Sequence, residues 1–90
     1  MRSRYAAFAL QDAAYLRATW HSTTRPSHFD FMPGQEWLLL RVLAAQEDGD
    51  AATVEFIARS RVAGRVNELH EVSHFQREDG HWRYVSGVID

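Results

Sequence analysis

The second half of the chain alternates apolar and polar residues with a period of two. Between residues 53 and 62, the even positions are mostly apolar, as in Val54, Phe56 and Ala58, and the odd positions are mostly polar, as in Glu55 and Arg59. Because successive strand residues point to opposite faces of a sheet, this period is typical of a strand with one covered face. The pattern therefore predicts a half-buried strand over residues 53–62.

Gly64 followed by Arg65 predicts a tight turn after this strand, because glycine readily takes the positive φ of hairpin turns. We expect the turn to be closed between Ala63 and Val66. That register brings opposite charges together on one face and apolar groups together on the other, which a one-residue slip would destroy. The facing pairs are then Arg61 with Glu68, Ser60 with Leu69, Glu55 with His74, and Val54 with Phe75.

Asp79-Gly80 is a second hairpin signal, between residues 75–78 and the aromatic run of Trp82 and Tyr84. Closing this turn between Glu78 and His81 places Phe75 opposite Tyr84 and Arg77 opposite Trp82. All three strands then direct their larger apolar residues to one side of the sheet.

The first half of the chain predicts two helices and one more strand. Apolar residues recur at helical spacing over residues 2–10, and Asp12 is a typical N-cap for a second helix over residues 13–20. Residues 21–34 form a polar loop. Residues 37–45 form a strand that is apolar on both faces apart from Arg41. If Arg41 points outward, the inward residues are Leu38, Leu40, Val42 and Ala44.

These elements predict an α+β fold in a single domain of residues 1–90. The N-terminal helices would pack on one face of a four-stranded antiparallel meander, with a hairpin over residues 47–51 between the first two strands.

Composition excludes several classes of function. The chain has no cysteine, so disulfides, cysteine nucleophiles and thiolate metal sites are excluded. A net charge of −2 gives no basic surface for nucleic acid. The apolar run Trp37 to Leu40 is far too short to cross a bilayer, and no signal peptide is visible, so we expect a cytoplasmic protein without membrane contact.

His70-Glu71-x-x-His74 matches the H-E-x-x-H pattern of zinc peptidases, whose two histidines share one face of a helix. On a strand, residues four apart stand roughly 13 Å from each other, too far to bind one zinc ion. The turns and the β-branched and aromatic neighbours favour a strand here, so no metal site is predicted, although a helix over residues 70–74 would restore the zinc hypothesis.

Small residues surround one carboxylate on the covered face. The predicted register gives one row of Ala58, Glu71 and Val88 and a second row of Phe56, Ser73 and Ser86. Because close-packed interiors normally fill such space with large side chains, the rows indicate a pocket. Glu71 would be a hydrogen-bond acceptor or a base there, and burial would make its charge costly. Ser73 would supply a hydrogen bond, and the walls would be Trp20, Phe56 and Tyr84.

A structural role for Glu71 is the alternative. Its carboxylate would accept hydrogen bonds from Arg25, His21 or the Trp20 indole and tie the loop to the sheet. For acid/base catalysis, a second titratable group must lie within reach of Glu71, and His21 is the candidate for it.

The outer face of the sheet suggests fewer roles. His70 and His74 lie beside Arg59 and Glu55 as solvated pairs. An apolar strip there fits either a homodimer contact through the sheet or scattered surface residues; its members are Ile57, Val72 and Val85. Arg77 and Trp82 form an edge cation–π pair.

Several blocks of the sequence, in the same order, resemble the YchJ-like, SEC-C-associated bacterial proteins. The blocks are Met1-Arg-Ser-Arg-Tyr-Ala-Ala-Phe8, Asp12-x-x-Tyr15-Leu16-x-x-Thr19-Trp20, Thr24-Arg25-Pro26, Val54-Glu55-Phe56-x-Ala58, Leu69-His70-Glu71-x-Ser73-x-Phe75 and Gly80-x-Trp82-x-Tyr84. The resemblance implies a cystatin-like, nuclear transport factor 2-like cone, in which a curved sheet wraps around helices and leaves a cavity. Its family members usually carry a cysteine-rich, zinc-binding SEC-C module before this domain. That module is absent here, which fits either a truncated or a naturally short form.

These observations leave three functions of different kinds. The first is a non-catalytic module that binds a small molecule or a protein partner in a pocket near Glu71. The second is a cofactor-free acid/base enzyme of the isomerase or dehydratase type that uses Glu71 and His21. The third, and least favoured, is a zinc hydrolase through His70 and His74. No cofactor is predicted.

Overall fold

The computed structural model describes residues 2–29, 31 and 34–89, and these form two helices followed by four strands. The helices are α1 (Arg2–Ala9) and α2 (Ala13–Ala18). The strands are β1 (Glu36–Asp48), β2 (Ala51–Val62), β3 (Arg65–Glu78) and β4 (His81–Ile89). The strands pair antiparallel in the order β1-β2-β3-β4. The predicted meander after two helices is confirmed, whereas wrapping of the sheet around the helices as a cone stays a prediction.

The start of α2 is fixed as the sequence predicts, because the Asp12 side chain accepts a hydrogen bond from the Tyr15 amide at 3.1 Å. The helix ends at Ala18 rather than at Trp20. Beyond it the backbone pairs with β4: the Tyr84 amide donates to Thr19, and the His21 amide donates to Tyr84. The segment after α2 therefore lies along the edge of β4 that does not pair with β3.

The β2–β3 hairpin has a different register from the predicted one. Its turn is Ala63-Gly64, closed by Val62 and Arg65, and both turn residues have positive φ (51° and 78°). Every partner is displaced by two residues, which keeps all side chains on their predicted faces. The pairs named above are therefore wrong, and the observed ones are Arg59 with Glu68, Ser60 with Asn67, Phe56 with Glu71, and Val54 with Ser73.

The β3–β4 hairpin begins in the predicted register, with Phe75 opposite Tyr84 and Arg77 opposite Trp82. Beyond that point His74 pairs with Ser86, so Val85 is an extra residue in β4, a β-bulge. The bulge places Gly87 opposite Ser73 and Ile89 opposite Glu71, so the two predicted rows through Val88 and Ser86 are wrong.

Strand β1 contains two irregularities, near Leu38 and Leu43, which no periodicity argument reveals. Leu40 and Val42 pair with Ala58 and Phe56 and so share their face, as predicted. The inward placement of Ala44 is wrong, because Ala44 pairs with outward Glu55. Leu38 lies at the first irregularity and has no partner in β2, so its inward placement stays a prediction.

The inner face of the sheet, which carries Phe56, Ala58 and Ser73, meets the helices in a small core. Leu16 of α2 and Ser73 of β3 are fully buried, and Ala7, Phe56 and Ala58 are nearly so. Tyr5 of α1 contacts Trp37 of β1 edge-to-face, with 5.5 Å between ring centroids. Within the described residues, no helix has the length and hydropathy needed to span a membrane.

Candidate functional site

The Glu71 carboxylate is held on the inner face by Ser73. Residues two apart on a strand share a face, and the Ser73 hydroxyl donates a hydrogen bond of 2.5 Å to Oε2 of Glu71. Ser73 is fully buried, whereas Glu71 is partly exposed. The Glu71 carboxylate is therefore a fixed acceptor that is held from the core by Ser73 and remains partly exposed.

Gly87 makes room for this carboxylate. A Cβ atom at that position would lie 2.5 Å from both Cδ and Oε2 of Glu71 and 2.9 Å from the Tyr84 hydroxyl. These distances are too short for any side chain, so only glycine permits the approach. The Glu71 carboxylate and the Tyr84 hydroxyl are consequently neighbours, both within 2.9 Å of one point beside Gly87.

Arg4 brings a cation from α1 to the same place. Its side chain is buried, at 7% exposure, and its guanidinium carbon lies 3.5 Å from the centroid of the Tyr84 ring and 4.6 Å from that of Trp20. Nη1 of Arg4 has no hydrogen-bond partner among the described residues. The charge of Glu71 acts on Arg4, but Nη1 of Arg4 makes no hydrogen bond to the Glu71 carboxylate.

Burial shifts the ionisation of both Arg4 and Tyr84. Burial lowers the pKa of Arg4, and the nearby Tyr84 and Glu71 act in the opposite direction. Burial also raises the pKa of Tyr84, with a further increase from the Glu71 charge that Arg4 partly offsets. At neutral pH, Tyr84 is therefore a neutral phenol that can donate a hydrogen bond.

These groups border a cleft of about 260 Å³, which we name the Glu71 cleft. Its walls are mainly aromatic and apolar, and its two ionic groups are Arg4 and Glu71. The other lining side chains are Tyr5, Phe8, Trp20, Trp37, Phe56, Ala58, Leu69 and Tyr84. Four of the five predicted ligand-binding residues thus line one cleft, namely Trp20, Phe56, Glu71 and Tyr84, while Ser73 holds the carboxylate from below.

The other predicted partners of Glu71 lie elsewhere. His21 contacts Thr23 at 2.7 Å and Glu78 at 3.7 Å. The Trp20 indole donates to Thr24, and Arg25 donates to the Trp20 carbonyl. The loop is instead tied to the sheet by Thr24, which donates to the Val85 carbonyl, and by Ser22, which donates to Glu78. The structural role predicted for Glu71 is therefore performed by other residues.

A second cleft, of about 400 Å³, lies on the other side of Arg4 and Tyr84, which line both. Its remaining charged residue, Glu47, is paired with Arg77 at 3.1 Å. Although this cleft is larger, its one charged residue besides Arg4 already has an ion-pair partner. The Glu71 cleft is therefore the better candidate for chemistry.

The H-E-x-x-H residues lie on strand β3, as the turn signals predict. His70 pairs with outward Ile57 and contacts the Glu55 carboxylate at 2.7 Å, while Glu71 points to the opposite face. The helical arrangement that zinc peptidases need is absent from this strand.

Two observations refine the predictions for the rest of the sheet. Arg77 stacks over Trp82 at 4.7 Å, which confirms that cation–π pair. On the outer face, Val88 rather than Val85 lies beside Val72, because of the bulge. A homodimer through this strip stays a prediction.

Arg4 and Gly87 are the site residues that sequence reasoning missed. Arg4 precedes Phe8 by one helical turn, so it lies on the aromatic stripe of α1, and that position is the signal that would have found it. Gly87 has no local signal, since its place opposite Ser73 depends on the bulge.

Comparison of the sequence with known proteins identifies its family. Residues 1–87 match the family described as "YchJ, middle NTF2-like domain". A UPF0225 protein of Polaromonas naphthalenivorans is 57% identical over 88 residues, which is 97% of this chain and 65% of that protein. A UPF0225 protein of Bordetella pertussis is 50% identical over 91 residues, covering 99% of this chain and 68% of that protein. The chain thus spans about two thirds of the length of these relatives.

A solved structure shares the fold. The solution structure of a SEC-C motif containing protein from Rhodopseudomonas palustris superposes with a TM-score of 0.87 and 41% identity, over 98% of this chain and 73% of that one. The resemblance inferred from the sequence blocks is confirmed. On these matches, and on the helix–meander architecture that accompanies them, the chain belongs to the family of the YchJ middle NTF2-like domain.

Proposed function

We propose that the chain is a small-ligand-binding module whose site is the Glu71 cleft. The observation that carries the proposal is the Glu71 carboxylate, fixed by Ser73 at the border of a cleft with aromatic walls. Ligand sites are typically concave, mostly apolar and equipped with a few fixed polar groups. The volume of about 260 Å³ lies just below the roughly 300–1,000 Å³ of drug-sized pockets, which suits a small molecule.

The glycine at position 87 supports the same proposal. A strand interior normally gains roughly 0.5–1 kcal/mol from alanine in place of glycine. Gly87 forgoes that gain and keeps a carboxylate and a phenol side by side at the surface of a cleft.

The test is a screen of small aromatic fragments against the ¹⁵N-labelled protein, read by amide chemical shifts. We expect binders to shift amides around Phe56, Glu71 and Tyr84. Ala58→Leu, which fills the cleft, should abolish those shifts, whereas Ala44→Leu on the outer face should leave them unchanged. Binding that persists in Ala58→Leu, or a screen without any binder, would contradict the proposal; the latter result would favour a protein partner.

A second candidate function is cofactor-free proton transfer. The observation that favours it is the Tyr84 hydroxyl beside the Glu71 carboxylate, since Tyr84 replaces His21 as the second titratable group. Glu71 would remove a proton from a carbon next to a carbonyl, and Tyr84 would donate a hydrogen bond to the developing enolate oxygen. The proton then returns from Glu71 to carbon.

Exchange of deuterium from solvent into the methyl group of acetophenone measures this reaction. Catalysed exchange that is lost in both Glu71→Gln and Tyr84→Phe would support the enzyme. Exchange at the buffer rate in the wild-type protein would reject it for this class of ketone.

A further inference from the structure

The Arg4 guanidinium is a buried cation with a vacant donor position. Arg4 is 7% exposed and lines the Glu71 cleft. Its Nη1 has no hydrogen-bond partner among the described residues. Buried polar groups are almost always hydrogen-bonded, so an unpartnered donor that borders a cleft is a candidate contact for a ligand.

Glu71 supplies a complementary acceptor in the same cleft. Ser73 donates to one of its oxygens, and an ionised carboxylate has about four acceptor sites, so capacity remains for another donor. Because Nη1 of Arg4 makes no hydrogen bond to Glu71, the carboxylate leaves that donor unsatisfied. The cleft therefore offers one free donor and one free acceptor whose charges balance.

We propose that Arg4 and Glu71 together select a ligand with a neutral amide head on a single apolar ring. This inference rests on the proposed binding function. The amide oxygen would accept from Arg4, the amide nitrogen would donate to Glu71, and the ring would lie against Phe8, Trp37 and Phe56. The small volume limits the apolar part to about one ring.

Other ligand classes fit this pair of charges less well. A carboxylate ligand would gain from Arg4 but face repulsion from Glu71, and an ammonium ligand would face the reverse. A pure hydrocarbon would leave the Arg4 donor buried and unpaired, which costs the desolvation free energy of that group.

Four probes that share one ring separate these classes: benzamide, benzoate, benzylammonium and ethylbenzene. Their dissociation constants are measured by amide chemical shifts at neutral pH, where ligands of this size bind on the order of 1 mM. Benzamide should bind at least about tenfold more tightly than the other three, which corresponds to one hydrogen bond to a charged group.

Two variants identify the residues responsible. Glu71→Gln removes the negative charge and leaves the charge of Arg4 unbalanced. The affinity for benzoate relative to benzamide should therefore rise at least about tenfold. Arg4→Lys keeps the charge but loses the planar guanidinium, so benzamide should weaken by about tenfold. Arg2→Lys, at an exposed position of the same helix, is the matched control. Thermal melts establish that each variant folds. If Arg4→Lys does not fold, the ligand preference of Glu71→Gln alone tests the amide inference.

The outcomes distinguish this inference from the function on which it rests. If no probe binds, both fail. If benzoate, benzylammonium or ethylbenzene binds the cleft as tightly as benzamide, or if Glu71→Gln leaves the order unchanged, the amide inference is wrong and a binding cleft remains.

Discussion

The Arg4 guanidinium lies over the Tyr84 ring, with its central carbon 3.5 Å from the ring centroid. A desolvated cation–π contact stabilises by about 2 kcal/mol, whereas a buried, unpaired donor costs about 1–3 kcal/mol. The guanidinium also lies over the Phe8 and Trp20 rings, at 5.1 and 4.6 Å from their centroids. The unpaired donor therefore offsets part of the stabilisation that the three rings contribute.

A double-mutant cycle tests the coupling between Arg4 and Glu71. Because each charge lies in the field of the other, the effects of Arg4→Met and Glu71→Gln on the free energy of unfolding should deviate from additivity by at least about 0.5 kcal/mol. Urea unfolding measures all four proteins. The control cycle pairs Arg2→Met with Glu71→Gln and should be additive, because Arg2 is exposed. Additivity in both cycles would show that the two charges do not interact.

Gly87→Ala should destabilise the protein, although alanine normally favours a strand. The new Cβ would lie 2.5 Å from the Glu71 carboxylate, so the end of that side chain must shift, and the shift perturbs its bond from Ser73. We expect a loss of about 1–3 kcal/mol in the free energy of unfolding, typical of overpacking. Ser86→Ala on the outer face is the control. A gain in stability for Gly87→Ala would show that the carboxylate moves without cost.

Ser22 and Glu78 should give a pH-dependent contribution to stability. The bonds from Ser22 lower the pKa of Glu78 below its ordinary value, with smaller contributions from His21 and Arg83. A depressed folded pKa means that the stabilisation is present above the unfolded value, about 4.3, and is lost as the pH falls through the folded value. The stability difference between wild type and Ser22→Ala should therefore shrink as unfolding is measured from neutral to acidic pH. A constant difference would contradict this assignment.

Tyr84 should make the protein sensitive to alkali. Its folded pKa is raised by burial, so its contribution is complete below the unfolded value, about 10, and is lost as the pH rises through the folded value. Burial also raises the pKa of Tyr5, so phenolate absorbance should show two tyrosines that ionise late. Tyr84→Phe should remove one of these two late titrations and flatten the loss of stability above about pH 10. An unchanged titration in Tyr84→Phe would assign both late groups to other tyrosines.

The sequence predicts the strands and their faces well, because alternation depends only on the pleat of the backbone. It predicts the turn of the second hairpin and the pairs next to it correctly, because Asp79-Gly80 is a strong turn signal and both residues take positive φ (55° and 78°). The first hairpin was misplaced because Ala63 also takes positive φ, at 51°, a conformation that alanine rarely adopts. Pairing along the two long strands outweighs that local preference.

The candidate site was predicted in part for a related reason. Trp20, Phe56, Glu71 and Tyr84 follow from the inward phase of the strands and the path of the loop. Arg4 does not, because an arginine near the start of a helix is ordinarily solvated, and only tertiary packing on Tyr84 buries it. Bulges in β1 and β4 likewise depend on pairing that a single strand does not encode.

The bulge at Val85 determines which residue stands over the carboxylate. Continued from the turn without an extra residue, the hairpin would set Ser86 against Ser73, and its hydroxymethyl group would occupy the volume that Gly87 leaves empty. Because of this one additional residue, the position opposite Ser73 holds glycine, which has no side chain, instead of serine. In this chain, loss of that one residue would put a serine in place of glycine beside the Glu71 carboxylate.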